Sequence, residues 1–192
     1  VSYLTNDIIA LRKIDMRFGL FKYHESLRRI IGIKMDDVIK RTVIVETLLM
    51  RKGIKPIPTK KQFVKQELEG AYVHQPTPGL KRDVGCIDQK SLYPSIMIAL
   101  NISPDIDKMI PKTIIYVLNE REKLRALRMS GNADDTVETS EQSLKYVANA
   151  FYGYLGSIYA KLYYPEGASL ITKTGRDLAE ELRAYLATLG YE

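Results

Sequence analysis

Apolar residues recur at steps of three and four positions through residues 8–49, and this spacing lines them up along one face of a helix. The pattern breaks near Gly32. Further along the chain, composition and spacing predict helices over about 112–129, 138–159 and 171–189, the last of them stopped by Gly190. The chain is therefore predicted to fold mainly from helices.

Two short segments carry a strand pattern instead. Residues 70–73 and 83–88 are separated by a stretch rich in proline and glycine at 76–79, which suits a turn, and we expect them to pair as strands. The polar stretch 130–135 is short enough to fold its two neighbouring helices back on each other. The predicted fold class is α+β, mainly helical, with a partial antiparallel sheet and an antiparallel two-helix hairpin.

The 192-residue chain carries a formal net charge of +6, and its basic excess lies in the first third. Residues 1–60 hold 13 Lys and Arg against 6 Asp and Glu, whereas residues 61–192 hold 16 against 17. Clustered basic charge favours polyanions, so nucleic acid is one expected partner, and a solvated helix face is an equally open alternative. The longest apolar run, at about 96–100, is far shorter than the roughly 18 residues of a membrane span. The single Cys86 fits a reducing, intracellular setting.

The segment 88–96 places a carboxylate directly before a helix. Asp88 ends the second predicted strand, and Pro94 suits the first turn of a helix that begins within a few residues. Free backbone N–H groups at a helix start attract phosphate, while an aspartate can hold a Mg²⁺ ion that bridges to the same phosphates. An aspartate that only caps the turn is the structural alternative.

A second group shares one face of the helix predicted over 138–159. From Lys145, the residues Asn149, Tyr152 and Gly153 follow at four, seven and eight positions. Glycine inside a helix costs about 0.5–1 kcal/mol relative to alanine, which indicates that something approaches Gly153 closely. A helix with a buried apolar face and a solvated lysine is the structural alternative.

The preceding helix carries Arg121, Arg125 and Arg128 at positions that share a face. If the two helices fold back on each other, this stripe and Lys145 would converge on a triphosphate. A solvated basic face explains the stripe equally well when that helix is considered alone.

Taken together, these segments resemble the family B DNA polymerases. Residues 88–96 are similar to the first catalytic motif of that family and residues 145–153 to its second, in the same order and with the same pair of helices. Segments 69–73 and 101–105 extend the resemblance, which covers nearly the whole chain. Ala150 stands where the family usually has serine.

The first residues resemble part of a second enzyme activity. Tyr3 and Asp7, four positions apart and followed by a basic helix, are similar to the third motif of a 3′–5′ proofreading exonuclease domain. The resemblance implies that Asp7 is a metal ligand and that Tyr3 belongs to the same exonuclease site. A chance occurrence of this short pattern is the alternative.

The resemblance implies a DNA-directed DNA polymerase that adds dNTPs by phosphoryl transfer between two Mg²⁺ ions. Asp88 and Lys145 would be catalytic, and the Asp88 carboxylate and Gln89 carbonyl would be metal ligands. The nucleotide-binding residues would be Ser91, Leu92, Tyr93, Arg121, Arg125, Lys145 and Asn149, and the DNA-binding residues Tyr152 and Gly153. The expected partners are primer–template DNA, dNTP and the rest of the polymerase, with no membrane, in the cytoplasm or nucleoid.

The resemblance also implies a division of the chain. The expected segments are the tail of the exonuclease domain at 1–20, a helical connection at 21–60, the first part of the palm at 61–111, the fingers at 112–158 and a palm helix at 159–192. Two prolines within 53–58 support the boundary near residue 60.

The third motif of the family, which carries the second metal-binding aspartate, is expected after residue 192. The 192 residues alone are therefore expected to be inactive. Two other functions remain open from the sequence: a catalytically inactive, polymerase-like module that binds DNA or a partner subunit, and a basic helical adaptor for nucleic acid.

Overall fold

The computed structural model describes residues 2–54, 66–75, 78–131 and 134–191, and every regular element within them is helical. A 3₁₀ turn, Met35–Asp37, lies between the second and third of the α-helices. The α-helices are α1 Ser2–Phe18, α2 Leu20–Ile31, α3 Arg41–Arg51, α4 Leu92–Ala99, α5 Met109–Met129, α6 Asp135–Leu155 and α7 Pro165–Thr188.

The predicted antiparallel sheet is wrong. Among the described residues, neither 70–73 nor 83–88 forms a strand. Val73, Val84 and Ile87 are 78%, 75% and 62% exposed, so these apolar side chains do not form the half-buried face of a sheet. Strand propensity reflects fit to a half-buried pleated surface, and without a neighbouring strand it does not create one. The mainly helical character was predicted correctly, whereas the α+β class was not.

Two of the predicted features lie partly or wholly outside the described residues. The boundary near residue 60 falls within 55–65, and the predicted turn at 76–79 includes residues 76 and 77.

The helices predicted over 112–129 and 138–159 correspond to α5 and α6, which each begin three residues earlier. Because Pro165 suits the first turn, α7 also begins earlier than predicted.

Glycines in the left-handed region end the N-terminal helices. Gly19 has φ +62° and separates α1 from α2, a break that the spacing did not predict. Gly32 has φ +74°, ends α2 at the predicted position, and donates its N–H to the Arg28 carbonyl at 2.7 Å. The Arg51 guanidinium donates to the Ile31 carbonyl at 2.7 Å, which satisfies one of the open carbonyls at the end of α2.

The chain forms two compact units. The first unit comprises Val1–Ile54 and Ile115–Ala148, and the second comprises Lys55–Ile114 and Asn149–Glu192. Buried residues of the first unit include Leu27, Ile31, Ile44, Val45, Leu49, Val117, Leu144 and Val147, and those of the second include Ile96, Met97, Ile110, Phe151, Tyr154, Leu155 and Ile171. Helices α5 and α6 each contribute to both units, so each helix is a continuous backbone connection between them.

One predicted apolar face is not covered by the described residues. On α1, Ile8, Leu11 and Ile14 are 57%, 66% and 45% exposed, although their spacing predicted a shared apolar face. In the same unit the Lys52 ammonium lies 3.2 Å from the centre of the Tyr116 ring, a cation–π contact. The interior of the first unit is therefore formed mainly by α2, α3 and the parts of α5 and α6 that belong to it.

A polar network in the second unit determines where α5 begins. The Asp105 carboxylate accepts the Met109 N–H at 2.9 Å, and the buried Ser103 hydroxyl accepts the Ile110 N–H at 3.3 Å. The Ser103 hydroxyl also donates to Asp105, and the Lys108 ammonium donates to the Ser103 carbonyl at 2.9 Å. The first two N–H groups of α5, which have no acceptor within the helix, are thus satisfied.

Asp105→Ala should lower the free energy of unfolding by about 1 kcal/mol, because it leaves a helix-terminal N–H group without its acceptor. Urea denaturation monitored by circular dichroism measures the effect. Asp107→Ala is the matched control, since Asp107 is exposed two positions away. Equal stability of the two variants would show that the network does not hold the start of α5.

Candidate functional site

A left-handed residue turns the chain between Asp88 and α4. Asp88 is exposed, and three positions later Ser91 adopts φ 53° and ψ 42°. Ser91 is the N-cap of α4, and its carbonyl accepts the Ser95 N–H at 2.9 Å. Pro94 lies in the first turn, as predicted. The exposed carboxylate therefore precedes the start of α4, although no strand leads into it within the described residues.

Tyr93 is held between two other elements of the second unit. Its ring centre is 4.8 Å from that of Tyr152, with 57° between the ring planes. A Cβ added to Gly175 of α7 would lie 3.3 Å from Tyr93 Cε1, so the missing side chain allows the ring to approach α7. Burial and the neighbouring Tyr93 both raise the pKa of Tyr152, so the Tyr152 phenol stays neutral at physiological pH. The structure thus brings together Tyr93 and Tyr152, which the sequence placed in different motifs.

Gly175 was not predicted to matter for this site. It is buried in the interior of a 24-residue helix, where glycine costs about 1 kcal/mol relative to alanine. The energetic cost of a glycine inside a helix was the signal that could have identified Gly175, as it did Gly153. The residues of α4 near its missing side chain are Leu92, Tyr93 and Ile96.

Lys145 and Asn149 are exposed and lie one turn apart on α6. Between and beyond them Val147, Ala148 and Phe151 are buried, so the helix has the two faces that the spacing predicted. Lys145 belongs to the first unit, whereas Asn149, Tyr152 and Gly153 belong to the second.

The arginine stripe of α5 meets a carboxylate that the sequence analysis missed. Glu141 of α6 is 7% exposed, and its Oε2 accepts the Arg128 Nε–H at 2.8 Å. Its Oε1 lies 3.7 Å from Arg121 Nη2. Among the described residues Arg125 forms no ion pair. The sequence did contain a signal that could have identified Glu141. Glu141 precedes the buried Leu144 and Ala148 by three and seven positions, so it lies on the apolar stripe of α6.

Tyr3 and Asp7 lie one turn apart on α1 and share a face. Both are exposed, Tyr3 to 80%. In the described part of the chain, no three His, Cys, Asp or Glu side chains converge as a metal-binding group, so neither Asp7 nor Asp88 belongs to such a cluster. Gln89, like Asp88, is exposed.

The sequence-predicted site residues are divided between the two units. Asp88, Gln89, Ser91, Leu92, Tyr93, Asn149, Tyr152 and Gly153 belong to the second, and Tyr3, Asp7, Arg121, Arg125 and Lys145 to the first. None of the helices in the described ranges is both long and apolar enough to span a membrane.

Two DNA polymerases are similar in sequence to this chain. DNA polymerase 1 of Pyrococcus abyssi is 27% identical over 220 residues, covering 94% of this chain and 28% of that protein. The DNA polymerase of Archaeoglobus fulgidus is 28% identical, covering 90% of the chain and 26% of its own length. The chain thus spans little more than a quarter of these relatives.

A solved structure has the same fold. The family B DNA polymerase from the hyperthermophilic archaeon Pyrobaculum calidifontis superposes with a TM-score of 0.73 over 93% of this chain, at 24% identity, and the match covers 28% of that structure. The sequence model for DNA polymerase family B matches residues 28–109 and 106–190. Because these matches include most of the chain, the chain belongs to the family B DNA polymerases.

Proposed function

We propose that this chain is a segment of a DNA-directed DNA polymerase that adds dNTPs to a primer under the direction of a template. The observation that supports this most strongly is the exposed Asp88 carboxylate ahead of the left-handed Ser91 and the start of α4. That arrangement offers a hard anionic ligand beside backbone N–H groups, and a Mg²⁺-bound triphosphate needs both.

The residues present supply part of the ligand set for the two Mg²⁺ ions that the proposed reaction requires. Mg²⁺ prefers oxygen ligands and usually takes one or two protein carboxylates together with substrate phosphates. The Asp88 carboxylate and the Gln89 carbonyl supply oxygens of this kind on exposed residues. When bound, the metal would activate the primer hydroxyl and neutralise charge on the phosphates. Further ligands would come from outside the described residues, which offer no three-residue cluster.

The remaining nucleotide contacts would be electrostatic and steric. The Ser91 and Leu92 N–H groups would bind phosphate oxygens at the positive end of α4. Arg121, Arg125 and Lys145 would balance the charge of the triphosphate, and Lys145 would stabilise the leaving group. These contacts hold the substrate in position, which accounts for much of the catalysis of phosphoryl transfer.

Two aromatic residues and their neighbours would meet the nucleotide and DNA. The Tyr93 ring, restrained by Tyr152 and α7, would lie under the sugar and collide with a ribose 2′-hydroxyl. Asn149 would contact the incoming nucleotide, and Tyr152 with Gly153 would contact the nascent base pair. A rigid ring discriminates better than a mobile one, because a collision can be avoided only by moving the ring.

The proposal extends to the rest of the enzyme. Tyr3 and Asp7 would contribute to a 3′–5′ proofreading site, and the segment boundaries given from the sequence would separate exonuclease, connection, palm and fingers. The partners would be primer–template DNA and the remainder of the polymerase, in the cytoplasm or nucleoid. The alternative, a catalytically inactive module that binds DNA or a partner subunit, is favoured by the absence of any cluster of three potential metal ligands among the described residues.

Reciprocal variants of the complete polymerase that carries this segment test these assignments. Asp88→Asn should reduce primer extension by at least about 100-fold while sparing 3′–5′ degradation, because metal-ion stabilisation is worth several kcal/mol. Asp7→Ala should reduce degradation and spare extension, so each variant is the control for the other. Extension that survives Asp88→Asn contradicts the polymerase assignment of Asp88, and degradation that survives Asp7→Ala removes Asp7 from the exonuclease site. An enzyme without extension in its unaltered form favours the inactive module.

Tyr93→Ala should admit ribonucleotides while leaving dNTP incorporation largely intact, since the ring excludes the 2′-hydroxyl by collision. The measurement is the ratio of kcat/KM for dCTP and CTP in the complete polymerase. Tyr159→Ala is the matched control, because Tyr159 belongs to the same unit and is 83% exposed. A ratio unchanged by Tyr93→Ala would show that Tyr93 is not the sugar discriminator.

A further inference from the structure

Glu141 is a buried carboxylate for which the proposed reaction provides no role. Its side chain is 10% exposed, and those of Arg121 and Arg128 are 15% and 44% exposed. All three residues belong to the first unit. Oε2 of Glu141 accepts a hydrogen bond from Arg128 Nε, whereas Oε1 faces Arg121 Nη2 at 3.7 Å, beyond ordinary hydrogen-bond length.

The Glu141 carboxylate therefore offsets positive charge at two of the three arginines of the stripe, Arg121 and Arg128. One negative charge lies beside Arg121 and Arg128, and the low exposure of Glu141 and Arg121 limits screening of that contact by water and salt. Arg125, between them in sequence, has no ion-pair partner in the part of the chain that the structure describes. On the neighbouring helix Lys145 is exposed one turn after Glu141.

We propose that Glu141 is a positioning residue that holds Arg121 and Arg128 and thereby lowers the affinity of this unit for polyphosphate. Arg125 and Lys145 are then the cations most available to a triphosphate, and Arg121 contributes less than either while Glu141 lies beside it. The inference rests on the proposed function insofar as the physiological ligand is the triphosphate of a dNTP.

The physical reason is competition between two anions for one guanidinium. A triphosphate that contacts Arg121 must compete with a carboxylate that is already in place and largely desolvated. The amide of a glutamine has nearly the same shape and keeps an acceptor for Arg128, but it carries no charge. Glu141→Gln therefore removes the competition while retaining the packing of α6.

The test is calorimetric titration of the 192-residue chain with inorganic tripolyphosphate at low ionic strength. Glu141→Gln should tighten binding by up to about tenfold, the scale of one charge-assisted contact. Glu120→Gln is the matched control, since it removes the same charge from an exposed pair with Lys123 on α5 and should change affinity less than about twofold. Circular dichroism shows whether each variant retains its helices.

A second comparison leaves Glu141 intact, so it decides the matter even if Glu141→Gln does not fold. Arg125→Gln should weaken binding by up to about tenfold, and Arg121→Gln should weaken it several-fold less, because Glu141 already offsets part of the Arg121 charge. In the Arg121→Gln background, Glu141→Gln should lose most of its effect.

Any of the following results would overturn the inference: unchanged affinity in a folded Glu141→Gln, an equal loss in Arg121→Gln and Arg125→Gln, or an equal gain from Glu141→Gln with and without Arg121. Failure of every form to bind tripolyphosphate overturns it as well. None of these results bears on Asp88, whose assignment is decided by primer extension, so the two proposals fail separately.

Discussion

The close approach of α4 to α7 at Gly175 is the contact on which the arrangement of the second unit depends. A side chain at that position would meet Leu92, Tyr93 and Ile96 of α4. Its absence lets Tyr93 lie against α7 with Tyr152 beside it, and the start of α4 is fixed along with the ring. The exposed Asp88 is joined to this packed helix through the left-handed Ser91. A helix contact thus restrains the chain that follows Asp88, the proposed catalytic carboxylate.

The first unit depends on a different kind of interaction. Its polar centre is Glu141 between two arginines, a group that would be costly to bury without them. The same arginines belong to the stripe expected to bind phosphate, so their positive charges would serve both the pairing with Glu141 and the binding of ligand. This overlap explains why the stripe cannot be treated as three equivalent cations. It also gives a physical reason for nucleotide affinity to be set by a residue that does not touch the nucleotide.

The sequence predicted those features that depend on neighbouring residues. Spacing predicted the helices, and glycine predicted the end of α2 at Gly32, because both signals act within a few positions. The sheet was predicted wrongly because pairing needs a second strand, and residues 83–88 have none within the described ranges. Gly175 and Glu141 were missed because their importance comes from α4 and α5, which are distant in sequence. The family motifs identified the candidate site residues, whereas the contacts of those residues are known only from the structure.

Asp88 is proposed to hold a catalytic metal beside a bound nucleotide. Anomalous diffraction from Mn²⁺ tests it most directly, in crystals of the polymerase carrying this segment with primer–template DNA and an unreactive dNTP analogue. We expect an anomalous peak about 2.1 Å from an Asp88 carboxylate oxygen, with phosphate oxygens of the nucleotide bound to the same ion. A nucleotide and metal bound at other carboxylates, with no peak at Asp88, would contradict it.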